Sequence, residues 1–209
     1  ADLETLTGRR PVTLLGREWQ FRPGAVGSRD WERSRLAALY ALAQGDAPVV
    51  VATADGLMAR TLPPETLRSL AITLEVGGQA ELGALAEQLL SAGYTRCEQV
   101  EGVGQFALRG GILDVFSPLM DQPVRCEFFD DEIDSMGAFD PGTQRRTRNV
   151  SSARILPAAE VLPHCAPGGL PGLADQLTAL AEKLAKKQKT EAIVQTLRED
   201  AERLRSGAA

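Results

Sequence analysis

Histidine is almost absent. His164 is the single one in 209 residues, and it sits in a Pro-rich stretch. A Ser-His-Asp triad is hard to build around it, so it reads as a surface residue. With one thiol neighbour, Cys165, it does not make a zinc ligand set. Cysteine is scarce as well. Cys97, Cys126 and Cys165 are widely spaced, odd in number and form no CxxC pair. Reduced thiols in a cytoplasmic protein are expected, with Cys126 in the core. No apolar run approaches the roughly 18–20 residues of a membrane span, and no membrane partner is expected. The string GxxxxGK[ST], whose amides and lysine would hold nucleotide phosphates, does not occur. Gly102-Val-Gly104 and Gly110-Gly111 are too short for it and carry no lysine. No catalytic residue, cofactor or metal is therefore expected in this chain.

What is present is ordinary for a soluble globular protein: 44% hydrophobic and 24% charged residues. The formal net charge of −5 argues against broad binding to nucleic acid or anionic lipid, though it leaves room for a local basic patch. No basic-then-apolar leader opens the chain. A strand signal follows Ala1 almost at once, which predicts a piece cut from a longer protein.

The first part alternates strand and helix. Pro11–Leu15 reads as a short buried strand, and residues 16–27 as loop. Ser28 or Asp30 can cap a helix to about Ala43, ended by Gly45. Pro48–Thr53 is a continuous apolar run, as in a parallel strand covered on both faces, and Asp55–Arg60 is a short helix. Pro63-Pro64 breaks the pattern. Leu70–Val76 can form a strand. Glu81–Ala92 is an amphipathic helix with Leu82, Leu85, Leu89 and Leu90 on one side, and Gly93 supplies its left-handed stop.

From Thr95 the period becomes two. Expected strands are Arg96–Val100, Gln105–Arg109, Gly111–Phe116, Pro123–Phe129, Ile133–Asp140 and Arg148–Leu156, separated by Gly- and Asp-rich turns. Short strands joined by tight turns predict an antiparallel sheet with the Glu81–Ala92 helix on one face. Pro157–Pro171 reads as linker or irregular crossing, and Leu173–Arg205 as two helices. Lys183, Lys186, Lys187 and Lys189 form a patch between them, read as a solvated face rather than a phosphate contact. Asp130, Asp131, Glu132 and Asp134 read as a polar hairpin tip rather than a divalent-metal site.

One strand face is out of place. In Pro123–Phe129, Val124, Cys126 and Phe128 point one way, and Arg125, Glu127 and Phe129 the other. Arg109 should lie opposite Phe106 and Leu108. If the two strands are neighbours, two arginines and a phenylalanine share a face. Arg and aromatic side chains are common binding hot spots, but another part of the same chain could equally cover the ring. Arg145, Arg146 and Arg148 lie just beyond, at a turn, and read as solvated. Truncating a surface residue of this face should change stability by no more than about 0.5 kcal/mol, so Arg125→Ala and Phe129→Ala are expected to leave the fold intact.

The segments "LRGGILDVFSP", "VRCEFFDDEIDSMGAFDPGTQRR" and "ARILPAAE" resemble the amino-terminal region of the bacterial transcription-repair coupling factors (Mfd), a region shared with the excision nuclease subunit UvrB. The resemblance spans residues 1–165 and is most specific over 105–146. UvrB has RGD where this chain has Arg109-Gly110-Gly111, and a tyrosine-rich hairpin where this chain offers only Tyr40 and Tyr94, so the coupling factors are favoured. The resemblance implies a mixed α/β and α+β fold. Residues 1–69 would form part of a degenerate RecA-like domain, 70–154 an inserted UvrA-interaction module, and 155–209 a return segment and helices. It implies UvrA binding by Arg109, Arg125 and Phe129, masked in the whole protein by its carboxy-terminal domain. It places ATP, Mg, DNA and RNA polymerase with other domains. Residues after 165 match no motif of the family. The alternatives are the equivalent region of UvrB and a nucleic-acid-binding domain using Arg145, Arg146, Arg148 and the lysines.

Overall fold

The computed structural model describes residues 2–8, 11–16, 30–45, 49–118, 120–187 and 191–207. The chain forms two compact units, residues 1–160 and 161–209. In chain order, the first holds α1 (Asp2–Thr7), β1 (Val12–Leu14), α2 (Asp30–Gln44), β2 (Val50–Ala52), α3 (Ala54–Met58), α4 (Pro64–Ser69), β3 (Ile72–Glu75), α5 (Leu82–Ser91), β4 (Thr95–Arg96), β5 (Gln105–Arg109), β6 (Ile112–Val115), β7 (Val124–Phe129), β8 (Glu132–Phe139), β9 (Arg146–Asn149) and β10 (Ser152–Ile155). The second holds a 3-10 turn (Pro163–Cys165), α6 (Gly169–Lys186) and α7 (Glu191–Arg205). The fold is thus mixed, with a parallel strand pair, antiparallel sheets and helices. Among the described residues no helix is long and apolar enough to cross a membrane.

β1 and β2 pair in parallel, with Val12 opposite Val50. Leu36 and Leu39 of α2 pack with Leu14 and Leu67 in a small core beside them. Thr53 caps α3 by accepting from the Gly56 amide. Two helices were not expected from the sequence. The fully exposed α1 is one. The other is α4, where Pro64 starts a helix instead of merely breaking one: at the first helical position its missing amide costs nothing. Ser28, Pro48 and the side chain of Asp30 lie outside the described residues, as does most of the expected loop. Arg35, 1% exposed, ties this layer to the chain beyond β10. Its Nε donates to both carboxylate oxygens of Glu160 at 3.0 and 2.8 Å. Its Nη1 donates to the carbonyls of Leu15 and Gly56.

The main sheet has the order β4-β5-β6-β7-β8-β9. All its pairs are antiparallel except β4–β5, which is parallel. The antiparallel sheet expected from the sequence is thus present, with β4 as a parallel edge that is only two residues long where Arg96–Val100 was expected. The expected strand Arg148–Leu156 is also two strands. β9 extends the main sheet, while β10 pairs with β3 in a separate antiparallel ribbon. α5 covers the inner face. The Glu81 carboxylate caps it by accepting from the amides of Gly83 and Ala84, both at 2.9 Å. At its end Gly93 takes φ 84. The amides of Gly93 and Tyr94 bond the carbonyls of Leu90 and Leu89, the hydrogen-bond pair of a Schellman stop. Leu85 and Leu89 of α5 meet Phe106, Leu113, Val115, Val124, Cys126, Ile133 and Met136 in the principal core. Cys126 is fully buried there, as expected.

In the second unit α6 and α7 pack along Ala174, Ala181, Val194 and Ala201, all buried. α6 begins at Gly169, inside the stretch read as irregular through Pro171, because proline is tolerated in a first turn. Lys183, Lys186 and Lys187 are exposed, and Lys189 lies outside the described residues. His164 and Cys165 are exposed.

Candidate protein-interaction surface

Two tight hairpins set the outer face of the main sheet. β5 and β6 are joined by Gly110-Gly111 alone, with Arg109 paired to Ile112. Gly110 takes φ 57, a conformation that costs an L side chain roughly 1–2 kcal/mol. A Cβ at Gly111 would sit 3.0 Å from the Phe128 carbonyl oxygen. β7 and β8 are joined by Asp130-Asp131 alone, with Asp130 at φ 52. The acidic run is therefore a hairpin tip whose side chains splay into solvent, and the Asp131 carbonyl accepts from the Ala80 amide. Between Glu127 and Phe128 the pairing with β8 slips by one residue. The extra residue, Asp134, lies on β8, so alternation along β7 is preserved: Val124, Cys126 and Phe128 face the core, and Arg125, Glu127 and Phe129 face outward.

At the centre of the outer face lies Asp114, fully buried on β6. Cross-strand partners share a face, and Asp114 stands between Ala107 on β5 and Arg125 on β7. Arg125 grips it with two bonds, Nε to Oδ1 at 2.7 Å and Nη2 to Oδ2 at 2.8 Å. Arg109 reaches diagonally from β5 and donates Nη2 to Oδ2 at 2.6 Å. The Arg125 side chain is 19% exposed and that of Arg109 is 44% exposed. Arg125 also lies over the Phe139 ring, 4.6 Å from its centroid, a cation–π contact. Its pKa is raised, because bonding to the Asp114 carboxylate outweighs the opposing effect of burial.

The turn after β8 supports this cluster. Asp140 Oδ1 accepts from the Thr143 amide at 2.7 Å and from the Thr143 hydroxyl at 2.9 Å. These bonds hold its carboxyl below the usual carboxylate range. The turn places Gln144 at φ 60, with its side-chain Nε2 donating to the Val100 and Pro141 carbonyls. The Gln144 carbonyl and side-chain oxygens each lie 3.4 Å from Arg125.

Of the three residues singled out from sequence, the structure brings two together. β5 and β7 are not neighbours, since β6 lies between them, and the arginines meet through Asp114. Phe129 stands apart. It is four residues further along β7 from Arg125, about 13 Å at the rise of a strand, and is 76% exposed. One expectation is corrected: Arg125 is not a free surface cation whose truncation leaves stability unchanged, because Asp114 would lose its main partner. Sequence reading passed over Asp114 and Gln144. Asp114 carried a signal, being the only charge in Ile112–Val115, and a carboxylate in an apolar strand requires a cation. Arg146 and Arg148 lie on β9 rather than in a turn.

A protein-family model for the UvrB interaction domain matches residues 72–161, the span from β3 through the main sheet and β10. The transcription-repair-coupling factor of Myxococcus xanthus is 44% identical over 129 residues, 61% of this chain and 11% of the relative. That of Bacillus subtilis is 33% identical over 99% of this chain and 18% of its own length. That of Escherichia coli is 39% identical over 145 residues, 68% of this chain and 13% of the relative. The chain thus spans less than a fifth of the length of these relatives. Residues 72–161 thus match the UvrB interaction domain family, in a chain similar along nearly its whole length to the transcription-repair-coupling factor of Bacillus subtilis.

Proposed function

We propose that this chain is a non-catalytic binding element that docks UvrA on the outer face of its main sheet, linking excision repair to stalled RNA polymerase in the whole protein. The observation that carries this reading is the Arg109–Asp114–Arg125 cluster, on the same face as Phe129, within a UvrB interaction domain. A large ring at 76% exposure on the sheet face that also carries anchored guanidinium groups has the make-up of a binding hot spot. Asp114 fixes both arginines before any partner arrives, so less side-chain entropy is lost on docking. Donors left over on the guanidinium groups suit acidic groups of the partner. A carboxy-terminal domain that masks the face in the whole protein would make the isolated chain the stronger binder. Calorimetric titration with UvrA tests the reading. Saturable binding that Arg109→Ala weakens supports it; absence of heat and of complex by gel filtration at tens of micromolar, on the order of ordinary transient affinities, would rule it out.

A further inference from the structure

Arg146 sits on β9, the edge strand of the main sheet. Charged side chains on edge strands commonly serve only to block pairing with other chains, and such a side chain would extend into solvent. This one lies back across the sheet. Gly137 is the cross-strand partner of Arg125, and the Arg146 guanidinium group covers it. A Cβ at position 137 would lie 2.7 Å from Arg146 Cζ and closer still to its Nε. Arg146 Nη2 donates to Ser135 Oγ at 3.1 Å, and Ser135 Oγ donates to Glu127 Oε2 at 2.9 Å. The row Asp114, Arg125, Gly137 is thereby continued by a third guanidinium group. Its charge differs from that of its neighbours. Arg109 and Arg125 share the Asp114 carboxylate, whereas Arg146 is exposed and makes no ion pair among the described residues.

We infer that Arg146, laid flat by the missing side chain at Gly137, is a further specificity-determining contact of the docking face, taking a carboxylate of the same partner protein. The inference rests on the UvrA reading above. Arg148 provides the internal control. It is opposite Ala138, whose own partner Val124 is in the core, so it carries the same charge on the opposite face of the sheet and is exposed. General electrostatic attraction would treat the two arginines alike; a docked contact would not.

The test is titration of UvrA with the 209-residue chain and its Arg146→Ala, Arg148→Ala and Gly137→Ala variants. Circular dichroism and melting verify that each is folded. Gly137 does not have a positive φ, and the three atoms nearest its Cβ would all belong to the flexible Arg146 side chain, so alanine there is expected to displace the guanidinium group. Arg146→Ala is expected to weaken binding about tenfold. Gly137→Ala should do the same, and adding it to Arg146→Ala should cost nothing more, because both act on one contact. Arg148→Ala should stay within about twofold. Equal effects of Arg146→Ala and Arg148→Ala, or full binding by Arg146→Ala, overturn the inference while leaving UvrA docking intact. Full binding by Gly137→Ala beside a weakened Arg146→Ala overturns the role of the glycine. No binding by the unsubstituted chain removes the underlying reading and this inference with it.

Discussion

Arg125→Ala should destabilise the first unit by about 2–3 kcal/mol. The substitution removes both bonds from Arg125 to Asp114, at 2.7 and 2.8 Å. It also removes the guanidinium group over Phe139. Asp114 stays fully buried with only Arg109 as cationic partner, and Arg109 is 44% exposed. Breaking a fully buried pair costs about 3–5 kcal/mol, and an exposed pair contributes about 1 kcal/mol or less. Arg125, at 19% exposure, is near the buried limit, and the remaining Arg109 softens the loss. In a unit of this size each kcal/mol corresponds to about 2–4 °C, so the melting midpoint should fall by roughly 4–12 °C. Phe129→Ala removes a ring that is 76% exposed and should change stability by about 0.5 kcal/mol or less. Urea denaturation followed by far-UV circular dichroism compares the two. Equal midpoints for Arg125→Ala and the unsubstituted chain would refute the argument that Asp114 depends on Arg125.

Other expectations follow from the same geometry. Arg35→Ala leaves Glu160, 9% exposed, without its partner and should cost about 3–5 kcal/mol in a denaturation series. Burial pushes the Cys126 thiol up to about 12 and raises that of Cys97. Alkylation at pH 8 read by mass spectrometry should label exposed Cys165 first and Cys126 only in denaturant. The Asp140 carboxyl is held down by its bonds to Thr143. Its contribution to stability is complete above the unfolded-state value near 3.8 and disappears as pH falls through the lower folded-state value. Asp140→Asn should therefore be the less stable protein at neutral pH, with the gap closing in acid when melts are recorded across that range.

Local chemistry made much of the fold legible. Gly93, Gly110 and Asp130 mark a helix stop and two hairpin tips because each conformation is dictated within a few residues. The alternation of β7 survived because the slip beside it falls on β8. Long-range pairing was not legible in the same way. Nothing within Ile72–Glu75 or Ser152–Ile155 says that they pair with each other, some 80 residues apart in sequence. The split after Asn149 follows from that pairing. The site divides along the same line. Arg109, Arg125 and Phe129 were visible as side chains of unusual type on an outward face. The bond that joins the arginines depends on strand order, since only a β6 inserted between β5 and β7 puts Asp114 within reach of both. The position of Arg146 depends on register, which sets Gly137 beneath it. Neither is encoded in any one segment.

Phe129 offers the most direct test of docking on this face, because its removal should leave the fold untouched. The measurement is the dissociation constant for UvrA of the unsubstituted chain and of Phe129→Ala, by calorimetry at one salt concentration. A loss of tenfold or more, with an unchanged melting midpoint, is the predicted result. Equal affinity of the two proteins would contradict the account and place the partner elsewhere.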